Sequence, residues 1–206
     1  MTTRTFTYLL SLTLPLSANE PDPLNQQAKQ LSEQPMPLVF RSVLNKRPRM
    51  LTIQLDKHHA IAYDTWHPQL ALAWQVASGP LVKFDGAVYT GSHGPQPTTL
   101  GSIQLDNANP EFSSTLGSVH FIAHTIRDNK PSLKFAVRDA QHRVVATITE
   151  TPQWDGKKLQ RSLSVTPQTQ GASITFSPAS AKPWTLGKQT VKSITLAEPI
   201  TITTSL

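Results

Sequence analysis

The chain of 206 residues contains no cysteine. This excludes disulfides, covalently attached c-type haem, Cys-ligated zinc, iron–sulfur clusters and thiol nucleophiles. Stability therefore has to come from a hydrophobic core, and a chain of this length buries enough surface for one domain. Hydrophobic runs are also short. As a helix, the run from Phe6 to Leu16 would be too short to cross a hydrocarbon core of about 30 Å.

The position and flanks of this run predict a secretory signal peptide. Basic MTTR precedes it, and Ser17 and Ala18 follow it before a polar stretch that contains prolines, which is the order of a signal sequence and its cleavage site. We expect residues 1–18 to be removed near Ala18, and the mature protein to be periplasmic or secreted. Residues 19–37 are predicted to form a linker with a short helix over Leu24 to Leu31.

Charge is low, at 16% of the residues, with a formal net charge of +6. Arg41, Lys46, Arg47 and Arg49 lie close together, but the other basic residues are scattered. No zinc finger, RRM-like or helix-turn-helix pattern accompanies them, so a nucleic-acid partner is not expected. A modest excess of cations is typical of a soluble surface, and it also favours contacts with an acidic partner or an anionic polysaccharide.

After the linker, apolar and polar residues alternate with a period of two. Leu51 to Asp56 and Leu70 to Val76 show this as half-buried strands, and the pattern recurs in about twelve segments without a long helical pattern between them. Turn residues such as Asn45-Lys46 and Asp128-Asn129 separate the segments, and short connections require antiparallel neighbours. We predict a single all-β domain over residues 38–206, an antiparallel two-sheet β-sandwich, with a closed antiparallel barrel as the alternative.

The stretch from Phe84 to Gly101, FDGAVYTGSHGPQPTTLG, combines turn-forming residues with groups capable of chemistry. Asp85, His93 and Gln96 are its candidate ligand-binding residues. His93 has the chemistry to act as a base or hold an anion, but it can equally fix the loop by bonding a backbone carbonyl. Because the histidines show no HExxH or similar spacing, neither a metal nor a cofactor is predicted.

The remaining ligand-binding candidates are arginines and residues of the segment AYDTWH: Arg41, Arg47, Arg49, Tyr63, Asp64 and Trp66. The arginines can make paired hydrogen bonds to carboxylate or sulfate groups, or can instead pair with Asp64, Asp85 or Glu111 to tie loops to the sheet.

The tryptophans divide into two predicted groups. Trp66 and Trp154 lie beside polar turn residues, as exposed rings that stack on sugars often do. Trp74 lies on an alternating apolar face and is predicted to belong to the core.

Five short segments resemble a known kind of domain: FRSVL at 40–44, RPRML at 47–51, AYD at 62–64, FDGAVY at 84–89 and HGPQPT at 93–98. They are similar to a β-rich extracytoplasmic segment of multidomain bacterial proteins that also carry c-type cytochrome domains. The resemblance implies an accessory domain of a periplasmic assembly, with a protein that bears a c-type cytochrome as a candidate partner. Since the haem-attachment motif CxxCH is absent here, no haem is implied for this chain.

These features favour an exported, non-catalytic β-sandwich that binds a carbohydrate or an envelope partner protein. The alternative is a carbohydrate-active enzyme of the lyase or epimerase type, in which Asp85 or His93 acts as acid or base. A third hypothesis is non-covalent haem or metal binding through histidines. The sequence has no GxSxG, P-loop or GxGxxG motif, so no catalytic residue is assigned.

Overall fold

The protein folds as a set of open antiparallel β-sheets. The computed structural model describes residues 37–84, 96–171, 173–179 and 182–206, and those residues form seventeen strands and no helix. In chain order the strands are β1 Leu38–Leu44, β2 Arg47–Gln54, β3 His59–Asp64, β4 Gln69–Gln75, β5 Val82–Phe84, β6 Pro97–Thr99, β7 Ser102–Asp106, β8 Phe112–Ser114, β9 Ser118–Arg127, β10 Lys130–Arg138, β11 Val144–Trp154, β12 Leu159–Pro167, β13 Ile174–Phe176, β14 Trp184–Leu186, β15 Gln189–Val191, β16 Ile194–Thr195 and β17 Ile200–Thr204.

Two large sheets make up most of the fold. One has five strands in the order β1-β2-β3-β4-β7, and the other has seven in the order β15-β14-β17-β12-β11-β10-β9. A three-stranded sheet, β16-β13-β8, and the β5-β6 pair complete the described strands. Both large sheets end in edge strands, so within the described residues the predicted sandwich is confirmed and the alternative of a closed barrel is wrong.

Two of the predicted turns form tight hairpins. Asn45 and Lys46 have φ angles of 50° and 64°, and Asp128 and Asn129 have φ angles of 51° and 57°. Two successive residues with positive φ form the turn whose twist matches that of the strands it joins. Asn and Asp tolerate this conformation better than most residues do, and the two turns thereby set β1 against β2 and β9 against β10.

The main hydrophobic core lies between the two large sheets. Leu51 and Ile61 of the five-stranded sheet belong to one cluster with Phe135, Ile148 and Leu163 of the seven-stranded sheet, and all five are at most 1% exposed. These residues occupy the inward phase of their strands, so the period of two in the sequence is what allows the sheets to stack.

The five-stranded sheet is also buried on its outer face. A second cluster that includes Met50, Leu72 and Trp74 lies there, and Val82 and Leu100, at the β5-β6 pair, pack against it. Strands β2, β3 and β4 are therefore buried along most of their length, although the alternation predicted half-buried strands. The predicted core position of Trp74 is confirmed.

A β-bulge in β4 changes which face several side chains occupy. The pairing of β3 with β4 shifts register between Leu70 and Leu72, which leaves Ala71 as an extra residue. One extra residue turns the side chains beyond it to the opposite face. Leu70 consequently joins the main core while Leu72 and Trp74 join the outer cluster, whereas uninterrupted alternation predicted all three on one face.

Part of the sequence-based prediction concerns residues outside the described ranges. The signal peptide, the linker up to residue 36 with its short helix, and both Asp85 and His93 lie there. Within the described ranges, no helix has the length and apolar character needed to cross a bilayer.

Candidate functional site

A cavity of about 550 Å³ opens where the start of β2, the β3–β4 turn and the segment after β7 meet. The charged and aromatic residues that line it, with one glutamine, are Arg47, Arg49, Asp64, Trp66, His67 and Gln69, and Asn107 also lines it; we call it the Arg–Trp cavity. The first four of these are candidates predicted from the sequence. Buried Met50 and Ala71 add apolar lining, so the cavity has both the apolar and the polar surface that small-molecule sites combine.

Arg49 is held over Trp66 by an unusual backbone conformation. Its φ angle is 60°, which costs a residue with a side chain about 1–2 kcal/mol. Its carbonyl oxygen accepts hydrogen bonds from the backbone N–H and the hydroxyl of Thr65, at 3.1 and 2.8 Å. The guanidinium lies 3.9 Å from the centre of the Trp66 ring, and that tryptophan is 59% exposed. Among the described residues Arg49 has no carboxylate partner, so its charge is available to a ligand.

Arg47 is paired with an acid that the sequence analysis did not identify. Its Nη2 donates to both carboxylate oxygens of Asp106, at 2.8 and 3.0 Å. The predicted pairing of these arginines with Asp64 or Glu111 is wrong, because Asp64 accepts hydrogen bonds within its own turn and Glu111 is buried in the core.

Asp64 shapes the β3–β4 turn and orients His67. Its Oδ1 accepts hydrogen bonds from the backbone N–H groups of Trp66 and His67, at 2.7 and 3.1 Å. Its Oδ2 lies 3.2 Å from Nδ1 of the His67 ring, and that ring is 61% exposed. Because a carboxylate accepts hydrogen bonds, this contact favours the neutral tautomer with the proton on Nδ1 and the lone pair on Nε2.

Gln69 contributes a buried acceptor without a partner. The residue is 3% exposed, and its Nε2 donates to the carbonyl oxygen of Asn107 at 3.3 Å. Its Oε1 is buried and accepts no hydrogen bond from the described residues. Such an oxygen costs about 1–3 kcal/mol when no donor reaches it, and the residue that carries it lines the cavity. A glutamine at the start of an apolar strand matches no motif, which is why the sequence did not reveal this position.

Arg41 and Gln96, both predicted to bind ligand, do not line the Arg–Trp cavity. Arg41 is exposed on β1, the strand at the far edge of the five-stranded sheet, and its guanidinium lies 5.3 Å from the centre of the Phe121 ring on β9. Gln96 is exposed immediately before β6.

Trp154 differs from the prediction of an exposed stacking ring. It is half-buried and stacks on the imidazole of His59, with 3.9 Å between the ring centres. One of its faces is therefore already occupied by another residue.

Tyr63 belongs to a buried cluster and not to the cavity. It lies in the core with Glu111, Glu150 and Arg161, all at most 1% exposed, and we call these four residues the Arg161 cluster. Arg161 donates from Nη1 and Nη2 to the two oxygens of Glu111, at 2.8 and 2.7 Å. Its Nε and the hydroxyl of Tyr63 both donate to Oε1 of Glu150.

The surroundings of Arg161 keep its guanidinium protonated. Burial alone would lower the pKa of Arg161, but the negative charges of Glu111 and Glu150 raise it above its usual value. The rings of Phe176 and Trp184 lie 5.0 and 5.2 Å from the guanidinium carbon. The cluster has no solvent-exposed surface for a ligand, so we assign it a structural role.

A signal for this cluster is present in the sequence. Arg161 lies between Leu159 and Leu163 on the inward phase of its strand, and Glu150 follows Ile148 on the inward phase of the neighbouring strand. Opposite charges on the apolar phases of consecutive strands indicate a buried ion pair. The alternation predicted the strands, and its charged exceptions at Glu150 and Arg161 mark the cluster.

No protein-family model, curated protein or solved structure matches the chain. The resemblance to cytochrome-associated segments therefore stays a prediction. Within the described residues, no group of three or more His, Asp or Glu side chains is placed to hold a metal ion.

Proposed function

We propose that this protein is an exported domain that binds a carbohydrate in the Arg–Trp cavity. The observation that carries the proposal is that one cavity is lined by an exposed ring, Trp66, and by Gln69, whose buried Oε1 has no partner among the described residues. Sugars carry C–H faces that pack on aromatic rings and hydroxyl groups that donate hydrogen bonds. The lining thus offers both contacts that such a ligand needs.

The arginines add donors to this arrangement. A sugar has ring and hydroxyl oxygens that accept hydrogen bonds, and the Arg49 guanidinium supplies N–H groups in a fixed plane. Stacking on Trp66 limits how far this side chain can rotate. A ligand therefore meets donors that are already oriented, which lowers the entropy lost on binding.

A glycan array followed by calorimetric titration of the hits tests the proposal. Trp66→Ala is expected to weaken binding at least about tenfold, the effect of losing one stacked ring, and Gln69→Leu is expected to weaken it as well. Ile126→Ala is the matched control, since Ile126 is 46% exposed and lies on β9, outside the cavity. Binding that survives in Trp66→Ala and Gln69→Leu would place the site elsewhere, and absence of any glycan ligand would refute the proposal.

A protein partner in the cell envelope is the second candidate, and strand β9 supports it. This strand is ten residues long and lies at the edge of the seven-stranded sheet. Ile122 and Ile126 on it are 45% and 46% exposed. A long edge strand with exposed apolar residues is a surface to which an extended segment of another protein can add.

A pull-down from periplasmic extract tests this second candidate, with a protein that bears a c-type cytochrome as the partner to look for. Ile122→Lys is expected to reduce recovery of the partner, because a charge on an edge strand opposes strand addition. Equal recovery of the partner with the wild type and with Ile122→Lys would show that β9 is not part of the interface.

Export is part of the proposal and has its own test. Mass spectrometry of protein recovered from the periplasm or medium is expected to show a chain that starts near residue 19. An intact N-terminus on protein that stays in the cytoplasm would contradict export.

A further inference from the structure

We propose that the Arg–Trp cavity also removes a proton from an acidic sugar, with Nε2 of His67 as the base and Arg49 binding the sugar carboxylate. This inference rests on the proposed carbohydrate binding, because the sugar has to occupy the cavity first. The site thereby gains a reaction, which is carried by His67 and Arg49 and not by Asp85 and His93.

The geometry of the turn makes His67 a base. Asp64 lies 3.2 Å from Nδ1 and favours the tautomer with the proton there, in which the lone pair is on Nε2. A histidine oriented through its other nitrogen by a carboxylate is a common arrangement in proton transfer. Both oxygens of Asp64 accept hydrogen bonds within the turn, which makes it a positioning residue for His67.

Arg49 indicates the class of substrate. Among the described residues no carboxylate pairs with it, although Arg47, in the same cavity, is paired with Asp106. A guanidinium held by stacking on Trp66 presents a planar set of donors that matches a carboxylate. Uronic acids are the sugars that carry such a group, and the carbon next to it bears the proton that a base removes.

The reaction that fits one base is β-elimination. His67 Nε2 takes the proton from the carbon next to the carboxylate, and the negative charge that develops on the carboxylate oxygens is stabilised by Arg49. A double bond forms between this carbon and its neighbour as the C–O bond to the adjoining sugar breaks. The leaving oxygen takes the proton from protonated His67, so atoms and charge balance without a further reactant.

Epimerisation is less compatible with the described residues. Inversion needs a second proton donor on the opposite side of the carbon. Among the described residues that line the cavity, His67 and Asp64 are the side chains with an imidazole or a carboxyl group to transfer a proton, and Asp64 is committed to His67. We therefore propose elimination, which requires a single carrier.

The test separates binding from chemistry. Oligogalacturonate and alginate oligomers are titrated calorimetrically against a neutral xylo-oligosaccharide, and the same acidic oligomers are incubated with the protein in D₂O. Proton NMR then reports loss of the signal next to the carboxylate and appearance of an unsaturated product. We expect acidic oligomers to bind more tightly than the neutral one, and to react.

Three variants assign the roles. His67→Gln is expected to lower the reaction rate at least about a hundredfold, as loss of a general base does, with affinity changed less than about twofold. Arg49→Gln is expected to weaken the binding of acidic oligomers about tenfold to a hundredfold, the effect of losing hydrogen bonds to a charged group. His59→Gln is the matched control, because Asp56 and His59 form the same kind of turn but the His59 ring stacks on Trp154 outside the cavity.

A nitrogen-edited NMR spectrum of the imidazoles tests the role of Asp64 without substrate. The His67 ring is expected to carry its proton on Nδ1, and Asp64→Asn is expected to shift the population towards the other tautomer. A wild-type ring protonated on Nε2 would overturn the inference.

The outcomes of the reaction test are separable. Acidic oligomers that bind but neither exchange nor eliminate overturn the inference and leave carbohydrate binding in place. Failure of every oligomer to bind overturns both, and a reaction that persists in His67→Gln overturns the assignment of the base.

Discussion

Arg161 and Arg49 have similar neighbours in opposite environments. Each guanidinium lies near a tryptophan ring, at 5.2 Å from Trp184 and 3.9 Å from Trp66. Arg161 is fully buried and all of its charge is used within the Arg161 cluster, by Glu111 and Glu150. Arg49 is exposed and, among the described residues, has no carboxylate partner. The difference shows that the partners of an arginine, and not its aromatic neighbour, separate a structural charge from one that can bind a ligand.

The backbone conformations of Arg161 and Arg49 also differ. Arg161 occupies a regular position in β12, paired with Pro152 and Ile202 on the neighbouring strands. Arg49 has a φ angle of 60° and lies where the pairing of β1 with β2 shifts register, so that Pro48 and Arg49 stand opposite the single residue Val43. Backbone conformations of this kind occur at β-bulges and at functional sites.

The largest effect is expected for Arg161→Met. Removing the cation leaves two buried carboxylates without compensation, and breaking such a pair typically costs about 3–5 kcal/mol. That is a large part of a typical total stability of about 5–15 kcal/mol. Urea unfolding followed by circular dichroism measures the change.

Arg47→Met is the control for this substitution, since the Arg47–Asp106 pair is exposed and exposed pairs contribute about 0–1 kcal/mol. Equal losses in the two variants would mean that the buried pair contributes no more than a surface one.

Tyr63→Phe is expected to have the next largest effect. It removes one of the two donors to Oε1 of Glu150, and a hydrogen bond to a charged group contributes about 1.5–3 kcal/mol.

The same residue predicts a dependence on pH. Burial raises the pKa of Tyr63, and the nearby charge of Glu150 raises it further. The unfolded tyrosine loses its proton near pH 10 while the folded one retains it, so this contribution is complete below pH 10 and falls as the pH rises above it. Unfolding free energies from pH 8 to 11 are expected to decline more steeply for the wild type than for Tyr63→Phe; parallel curves would contradict the shift.

Arg49→Met is expected to change stability by less than about 1 kcal/mol, the contribution of an exposed cation–π contact. Its effect on affinity for an acidic oligosaccharide is expected to be much larger than its effect on folding. Thermal unfolding and calorimetric titration of one preparation compare the two. A stability loss as large as that of Arg161→Met would show that Arg49 supports the fold.

Added salt is expected to have the smallest effect on stability, and to weaken exposed ion pairs more than buried ones. At about 1 M salt the Debye length is only about 3 Å, so exposed pairs are screened far more than buried ones. The stability difference between wild type and Arg47→Met is expected to vanish at high salt, while that for Arg161→Met persists. Unfolding at low and high sodium chloride measures both, and loss of the Arg161→Met difference at high salt would contradict burial of the pair.

Local sequence patterns predicted the sheets well because they depend on neighbours along the chain. Alternation and the turns at Asn45 and Asp128 were sufficient for an antiparallel sandwich. The position of Leu70 was not predictable in this way, because a single extra residue, Ala71, reverses the face. The burial of the outer face of the five-stranded sheet was also not predicted. Alternation describes the residues of a strand and not the residues that pack on them.

The site was predicted in part. Arg47, Arg49, Asp64 and Trp66 were identified from residue type and turn context, and they meet in one cavity. Gln69 was missed because what distinguishes it is an oxygen left without a donor, which is a property of three-dimensional packing. Tyr63 was included because of its position beside Asp64, but adjacent residues of a strand point to opposite faces.

The Arg161 cluster also affects how the protein unfolds. Tyr63 comes from the five-stranded sheet, Arg161 and Glu150 from the seven-stranded sheet, and Glu111 from the segment before β8. Separating the sheets would leave each charged group in an apolar surface without its partners, so partial opening there is as costly as complete unfolding. Amide protons in the centres of both sheets should therefore exchange with solvent at one common, slow rate, as expected of a single cooperative unit.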